Sequence, residues 1–320
     1  MLTFLPFYII IIVVLMISKG KSKLDFKFID NHIHGSFGIN FNYSTYDETK
    51  FLLKELYKKN IKGICPTLVG DNIQNIQRQL SIFKKIKEEQ LQNIEKETLI
   101  IGAHLEGSFL SPEKSGIQDK NVFLKPTIKN FLSLVGGFED IIKIVTIAPE
   151  EDIDLIDYLN EKNIITQAGH TVGSELKNTK GVTHLFNAMN PIHHRNSSLA
   201  LNALINDEIY CEVIGDLIHL NKDILTLILK TKPKNRILLI SDSLPNSNYQ
   251  EEIIFCNKKI NSQGKDEKGV LAGSNKTLDE ICLKLYENKI LTKEEINLMA
   301  FENQIEYLDI RAREIDILNR

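Results

Sequence analysis

Eight short, β-branched apolar runs constrain this 320-residue chain more than any other feature. Each ends on polar or small residues, and most lead into an amphipathic helical stretch. The runs are DFKFIDNHIHG (residues 25–35) and segments 63–70, 98–107, 141–150, 163–170, 181–189, 209–216 and 236–243. Helical stretches are predicted at 47–59, 72–87, 151–161, 221–229, 278–287 and 293–306. The first has acidic residues at its start and lysines at its end, as the helix dipole favours. Strands alternating with helices build parallel βαβ units, and eight strands close a (β/α)8 barrel. An open doubly wound sheet would feed one crevice from a few strands. A barrel gathers its chemistry at the C-terminal ends of most strands. The sequence fits the barrel, because His32, His34, Glu106, His170, His184, Asp216 and Asp242 all fall at the ends of predicted strands. No linker, low-complexity stretch or solenoid period interrupts 24–320, which is expected to form one barrel domain.

The net charge of −3 and the lack of a basic stripe interleaved with aromatics argue against a nucleic-acid partner. Four scattered cysteines without a CxxC read as buried thiols of a reducing compartment. Residues 1–23 stand apart. They open with an apolar run, residues 2–17, followed by Lys19, Lys21 and Lys23. The run is at the short limit for a membrane span, and Pro6 does not help it. Lysines on its C-terminal side would keep the rest of the chain in the cytoplasm. A membrane-associated N-terminus with a cytoplasmic body is the expectation, against a buried apolar extension.

In a strand, residues i and i+2 share a face, so His32 and His34 aim two imidazoles at one point. Alone, the pair equally fits two surface histidines near a turn. The other histidines change that balance, because seven of the eight lie at or just after strand ends. Glu106, His170 and His184 form a ligand set suited to Zn²⁺ or Fe²⁺. One carboxylate and two imidazoles leave a position open for water, whose pKa the ion lowers toward neutrality. His32 and His34 are candidates for a second ion, with Glu106 bridging. His104 shares the face of Glu106 and by default reads as a core histidine. Asp242 is a candidate general base, weighed against a helix cap. Arg195 is a candidate anion clamp, weighed against a solvated loop arginine, with Asn187 and Ala188 as companions. His219 fits a contact to a substrate hydroxyl, or the start of a helix. The segment LAGSNKT fits a pocket wall but lacks the spacing of a phosphate loop.

HLEGSFLSPEKSGIQ, VTIAPE, QAGHTVGS, THLFNAMNPIHHR, GDLIHL, ISDS and GVLAGSNKTLDE together resemble the N-acetylglucosamine-6-phosphate deacetylases of the amidohydrolase superfamily. The likeness runs in order from about residue 29 to about residue 308. It implies hydrolysis of the N-acetyl group of N-acetylglucosamine 6-phosphate. It implies metal ligands at Glu106, His170 and His184, with His32 and His34 for a second ion. It further implies an acid/base at Asp242, phosphate contacts at Asn187, Ala188 and Arg195, and a hydroxyl contact at His219. It also implies a homodimer whose second subunit helps complete the phosphate pocket.

Two departures stand out. Gln118 occupies the place of a family histidine that polarises the scissile carbonyl. The strands that build the family's small β-sandwich domain have no counterpart, so that domain is expected to be absent or vestigial. The alternatives are another amidohydrolase acting on a phosphate-free amide, and a non-catalytic sugar-phosphate-binding protein.

Overall fold

The computed structural model describes residues 26–93, 95–249 and 251–319. The expected membrane-associated segment lies outside these residues. Among the described residues, no helix is long and apolar enough to cross a membrane.

Eight parallel strands form the barrel: β1 (Phe28–Ile33), β2 (Ile61–Val69), β3 (Ala103–Glu106), β4 (Ile142–Ile147), β5 (Ile165–Ala168), β6 (Gly181–Val182), β7 (Tyr210–Ile214) and β8 (Ile237–Ile240). Each pairs with the next in chain order, and a short strand, Leu99–Ile100, also pairs with β2. All eight predicted strands are present. Their residues are buried almost throughout, as a sheet covered on both faces requires. The last strand meets the first through backbone bonds. Asp242 N donates to His32 O at 3.0 Å and His34 N donates to Ser243 O at 2.9 Å. This seam closes the barrel and puts both histidines beside Asp242.

The helices are α1 (Tyr46–Lys58), α2 (Ile73–Gln92), α3 (Ile128–Val135), α4 (Leu155–Glu161), α5 (Leu199–Ile205), α6 (Lys222–Thr231) and α7 (Leu278–Glu287). Local chemistry sets their starts. Thr45 and Glu48 form a capping box on α1, and Asn72 and Asn221 cap α2 and α6. Leu52, Leu53 and Leu56 of α1, Ile76, Leu80 and Phe83 of α2 and Leu225 and Ile228 of α6 belong to the large apolar cluster between strands and helices. A second cluster joins Ile29, Ile144, Ile165, Tyr210 and Leu238, from the first halves of the strands, to Phe301, Tyr307 and Leu308.

The predicted helix 293–306 is divided. Helices α8 (Lys293–Asn297) and α9 (Asn303–Tyr307) flank a π turn, Leu298–Glu302. The wider turn brings Asn303 to the carbonyls of Lys234 and Ile237 and Gln304 to that of Leu239, so the element caps strand backbone. Helix α10 (Ala312–Leu318) follows. Cys65, Cys211 and Cys282 are buried and unpaired, as expected, and Cys256 is half-buried.

Candidate functional site

Glu106 is the hub of the site. It ends β3 and is 3% exposed. Its two oxygens serve different neighbours. Oε1 lies 3.0 Å from His170 Nε2 and 2.7 Å from His184 Nε2, and those two nitrogens are 3.1 Å apart. Oε2 lies 3.2 Å from His34 Nε2 and 3.6 Å from His32 Nε2. Asp242 completes the ring, with Oδ1 3.2 Å from His34 Nε2 and 3.5 Å from His32 Nε2. The structure thus brings six of the seven strand-end residues to one point, and Asp216 pairs instead with His219.

Three of them sit there in strained backbone. His170, His184 and Asp242 have φ of 47°, 30° and 50°, in the left-handed region that non-glycine residues rarely adopt. Such strain persists where the surroundings over-determine it, and it clusters at functional positions.

The donor set fits a divalent cation. His170 Nδ1 faces the Lys114 carbonyl at 2.7 Å. A carbonyl only accepts, so Nδ1 carries the proton and Nε2 of the neutral ring is a bare lone pair. That lone pair and the one on Glu106 Oε1 point at each other, and they repel unless a proton or a cation lies among them. His32 Nε2 is likewise buried without a hydrogen-bond partner. The ligand atoms of Glu106, His170 and His184 lie within 4.8 Å of one another, as do those of His32, His34 and Glu106.

The electrostatics follow. Burial opposes ionisation of Glu106, but the charge of His32 above all, with the rings of His170 and His184 close by, holds its carboxyl well below the usual range. Asp242 is lowered too, against burial, by His32 and His34. With no cation in place, burial likewise opposes protonation of His32, but Glu106, Glu212 and Asp242 raise it well above 6.5; a cation bound at Nε2 would displace the proton from that nitrogen and leave the ring neutral. His104 is different. Burial and the charge of His32 push it down to about 3, and its nitrogens are taken by Asn31 O at 3.1 Å and Thr146 Oγ1 at 2.9 Å. It is a core histidine, the default reading.

A cavity of about 350 Å³ opens over this centre. His34, Glu106, His170, His184 and Asp242 line it, as do Gln118, Asn187, Ala188 and His219. Leu271, Ala272 and Gly273 of LAGSNKT form part of its wall. His219 Nδ1 pairs with Asp216 Oδ2 at 2.8 Å. Gln118 is already engaged. Its Nε2 donates to Glu106 O at 2.8 Å and its Oε1 accepts from Gly70 N at 3.1 Å. Arg195 lies on the exposed loop 191–197, away from the cavity wall. Among the described residues the one lysine or arginine in the wall is Lys114, whose Nζ donates to Met189 O at 3.3 Å. Sequence reasoning missed Lys114, which in SPEKSG looks like any surface lysine. It also missed Glu212, wholly buried below the cavity and bonded to His32 Nδ1 at 2.9 Å. A Glu inside the apolar run IYCEVIGD was the available signal.

No family model matches the chain. It is 29% identical over 305 residues to the N-acetylglucosamine-6-phosphate deacetylase of Bacillus subtilis, covering 89% of this chain and 75% of that protein. The crystal structure of the Thermotoga maritima N-acetylglucosamine-6-phosphate deacetylase superposes with a TM-score of 0.79 at 24% identity, covering 90% of this chain and 80% of that one. A mutant of the Mycobacterium smegmatis enzyme, in complex with N-acetyl-D-glucosamine 6-phosphate, superposes with a TM-score of 0.77 at 22% identity, covering 89% and 77%. Both likenesses show the same barrel fold. Over 89% of its length, this chain is a homologue of the N-acetylglucosamine-6-phosphate deacetylases.

Proposed function

We propose that the chain hydrolyses the N-acetyl group of N-acetylglucosamine 6-phosphate, releasing acetate and glucosamine 6-phosphate, with residues 24–320 as its catalytic domain. The observation that carries this reading is Glu106, whose two oxygens serve two histidine pairs, one of which also faces Asp242.

Glu106, His170 and His184 would hold one divalent cation, zinc or iron(II), and His32 and His34 a second. When bound, such an ion acidifies water and polarises a carbonyl. The chain's own residues do the rest. Asp242, kept ionised by its histidine neighbours, takes a proton from the attacking water. Water oxygen adds to the acetyl carbon, the carbon–nitrogen bond breaks, and Asp242 returns the proton to the departing amine. His219, oriented by Asp216, meets a sugar hydroxyl. Gln118 has one amide N–H left for the carbonyl oxygen, less charge than an imidazolium would bring.

The phosphate falls to Asn187, Ala188 and Lys114 from inside the cavity. Arg195 is exposed on its loop, a placement that suits a contact made across a homodimer. The test is acetate release from the phosphorylated and unphosphorylated sugar by cation-loaded full-length protein. Turnover of the phosphorylated sugar alone is expected. Turnover of both alike would favour a phosphate-free amide as substrate. Phosphate-dependent binding without any acetate would overturn catalysis in favour of a binding protein.

A further inference from the structure

Glu212 lies in the middle of β7, 0% exposed and outside the cavity wall. Four donors and no acceptor surround its carboxylate. Oε1 accepts from Asn31 Nδ2 and Gln167 Nε2, each at 2.8 Å. Oε2 accepts from His32 Nδ1 at 2.9 Å and from the His184 backbone N–H at 3.3 Å. A fully buried carboxylate is tolerated only when its lone pairs are satisfied in this way.

We propose that Glu212 is a positioning residue that makes His32 a cation ligand, by fixing the ring proton on Nδ1 and leaving the Nε2 lone pair for an ion shared with His34 and Glu106. The inference rests on reading the cavity as a cation site. The ring has two neutral tautomers, and the partner of one nitrogen decides the state of the other. Opposite Nδ1 stands a carboxylate, which only accepts. Opposite Nε2 stand Glu106 Oε2 at 3.6 Å and Asp242 Oδ1 at 3.5 Å, and no hydrogen bond is made.

His170 is fixed in the same sense by the Lys114 carbonyl. Glu212 therefore does for the first histidine of HxH what main chain does for His170. It also holds the backbone of His184, so one carboxylate braces a ligand of each position. The ligand atoms of His32, His104 and Glu212 also lie close together, but both nitrogens of His104 are spent on Asn31 and Thr146. That trio is a supporting layer beneath the ions.

A glutamine at 212 makes the test sharp. It offers one oxygen and one NH₂ to four donors. The conflict at the ring is relieved if His32 moves its proton to Nε2, which fills the lone pair the ion needs. Metal-stripped full-length wild type and Glu212→Gln are titrated with Zn²⁺ against a chromophoric chelator. The histidine ¹⁵N signals of the zinc-loaded proteins then report the His32 tautomer. Wild type is expected to take two ions. The variant is expected to keep one and to bind the other about 10- to 100-fold more weakly, the usual scale for losing such a support, with His32 protonated at Nε2. Two ions at unchanged affinity in the variant, or a wild type that takes only one, would overturn the proposal. So would Nε2-protonated His32 in zinc-loaded wild type, a measurement that stands even if the variant does not fold. No substrate enters these readouts, so a chain that releases no acetate still passes or fails them on its own.

Discussion

Lys114→Met tests how the cavity recognises an anion. Methionine keeps the length and removes the charge. Lys114 is half-buried, its Nζ lies 3.3 Å from Met189 O, and among the described residues no carboxylate pairs with it. At about 4 Å and an effective permittivity of about 20, a lysine attracts one unit of negative charge by roughly 4 kcal/mol. Desolvation of both partners takes back much of that, and a hydrogen bond to a charged group retains about 1.5–3 kcal/mol. At about 1.4 kcal/mol per tenfold, KM for the phosphorylated sugar should rise roughly 10- to 150-fold. The kcat value should stay within about twofold, because uniform binding is lost and not transition-state binding. Steady-state acetate release with phosphorylated and unphosphorylated sugar separates the two. The Lys114 carbonyl also accepts from His170 Nδ1, so a backbone disturbance would harm both substrates. Equal losses with both substrates would refute the anion contact.

Asp242→Asn should lower kcat by about 10²–10⁴-fold, the range for a lost general base, with zinc content unchanged. A variant keeping more than about a tenth of the activity would remove Asp242 from that role. Zn²⁺ at about a thousand times its dissociation constant should stabilise the fold by about 4 kcal/mol, and a chelator should reverse the shift in scanning calorimetry. An unmoved transition would argue that no cation binds. Asp216 and His219 predict a pH window. His219 holds Asp216 below its ordinary 3.8 and Asp216 holds His219 above 6.5, each against burial. The Asp216 contribution is lost as pH falls below 3.8, and the His219 contribution as pH rises above 6.5 through its folded value. The stability gap between wild type and Asp216→Asn, from urea midpoints, should therefore be larger near pH 5 than near pH 9, and a gap that grows with pH would contradict the pairing. Gly107→Ala would set a Cβ 2.0 Å from Gly70 N, main chain that cannot swing aside. It should cost at least about 1–3 kcal/mol in denaturant unfolding, and a neutral result would show that β2 and β3 separate easily.

The barrel was legible because its strands are buried on both faces and therefore read as unbroken apolar runs. The site was legible because ligands at strand ends stand just where those runs stop. Helices α3, α5 and α10 run for only seven or eight residues, about two turns, too short for a sustained pattern. The antiparallel hairpin Ile253–Phe255 with Lys258–Ile260 carries Cys256 and Asn257, both at positive φ, where Asn-Gly would have announced a turn. Glu212 was hidden because sequence does not say which face of β7 its side chain takes or what donors await it. The place of Arg195 outside the cavity depends on the path of loop 191–197, and Lys114 enters the wall only because loop 111–118 folds over the strand ends. Neither path leaves a periodic trace.

The barrel seam has a consequence for how the protein is made. His32 and His34 come from the first strand and Asp242 follows the last, and the bonds joining them span separations such as the 208 positions between Ser243 and Gly35. Closing so long a loop is entropically costly and belongs late in folding. A nascent chain lacking β8 has Glu106, His170 and His184 but no neighbour for His32 and His34 across the seam. The candidate ion ligands all precede β8, so Asp242, the proposed general base, is the last group to join the site, and recovery of acetate release during refolding would time the moment the two edges meet.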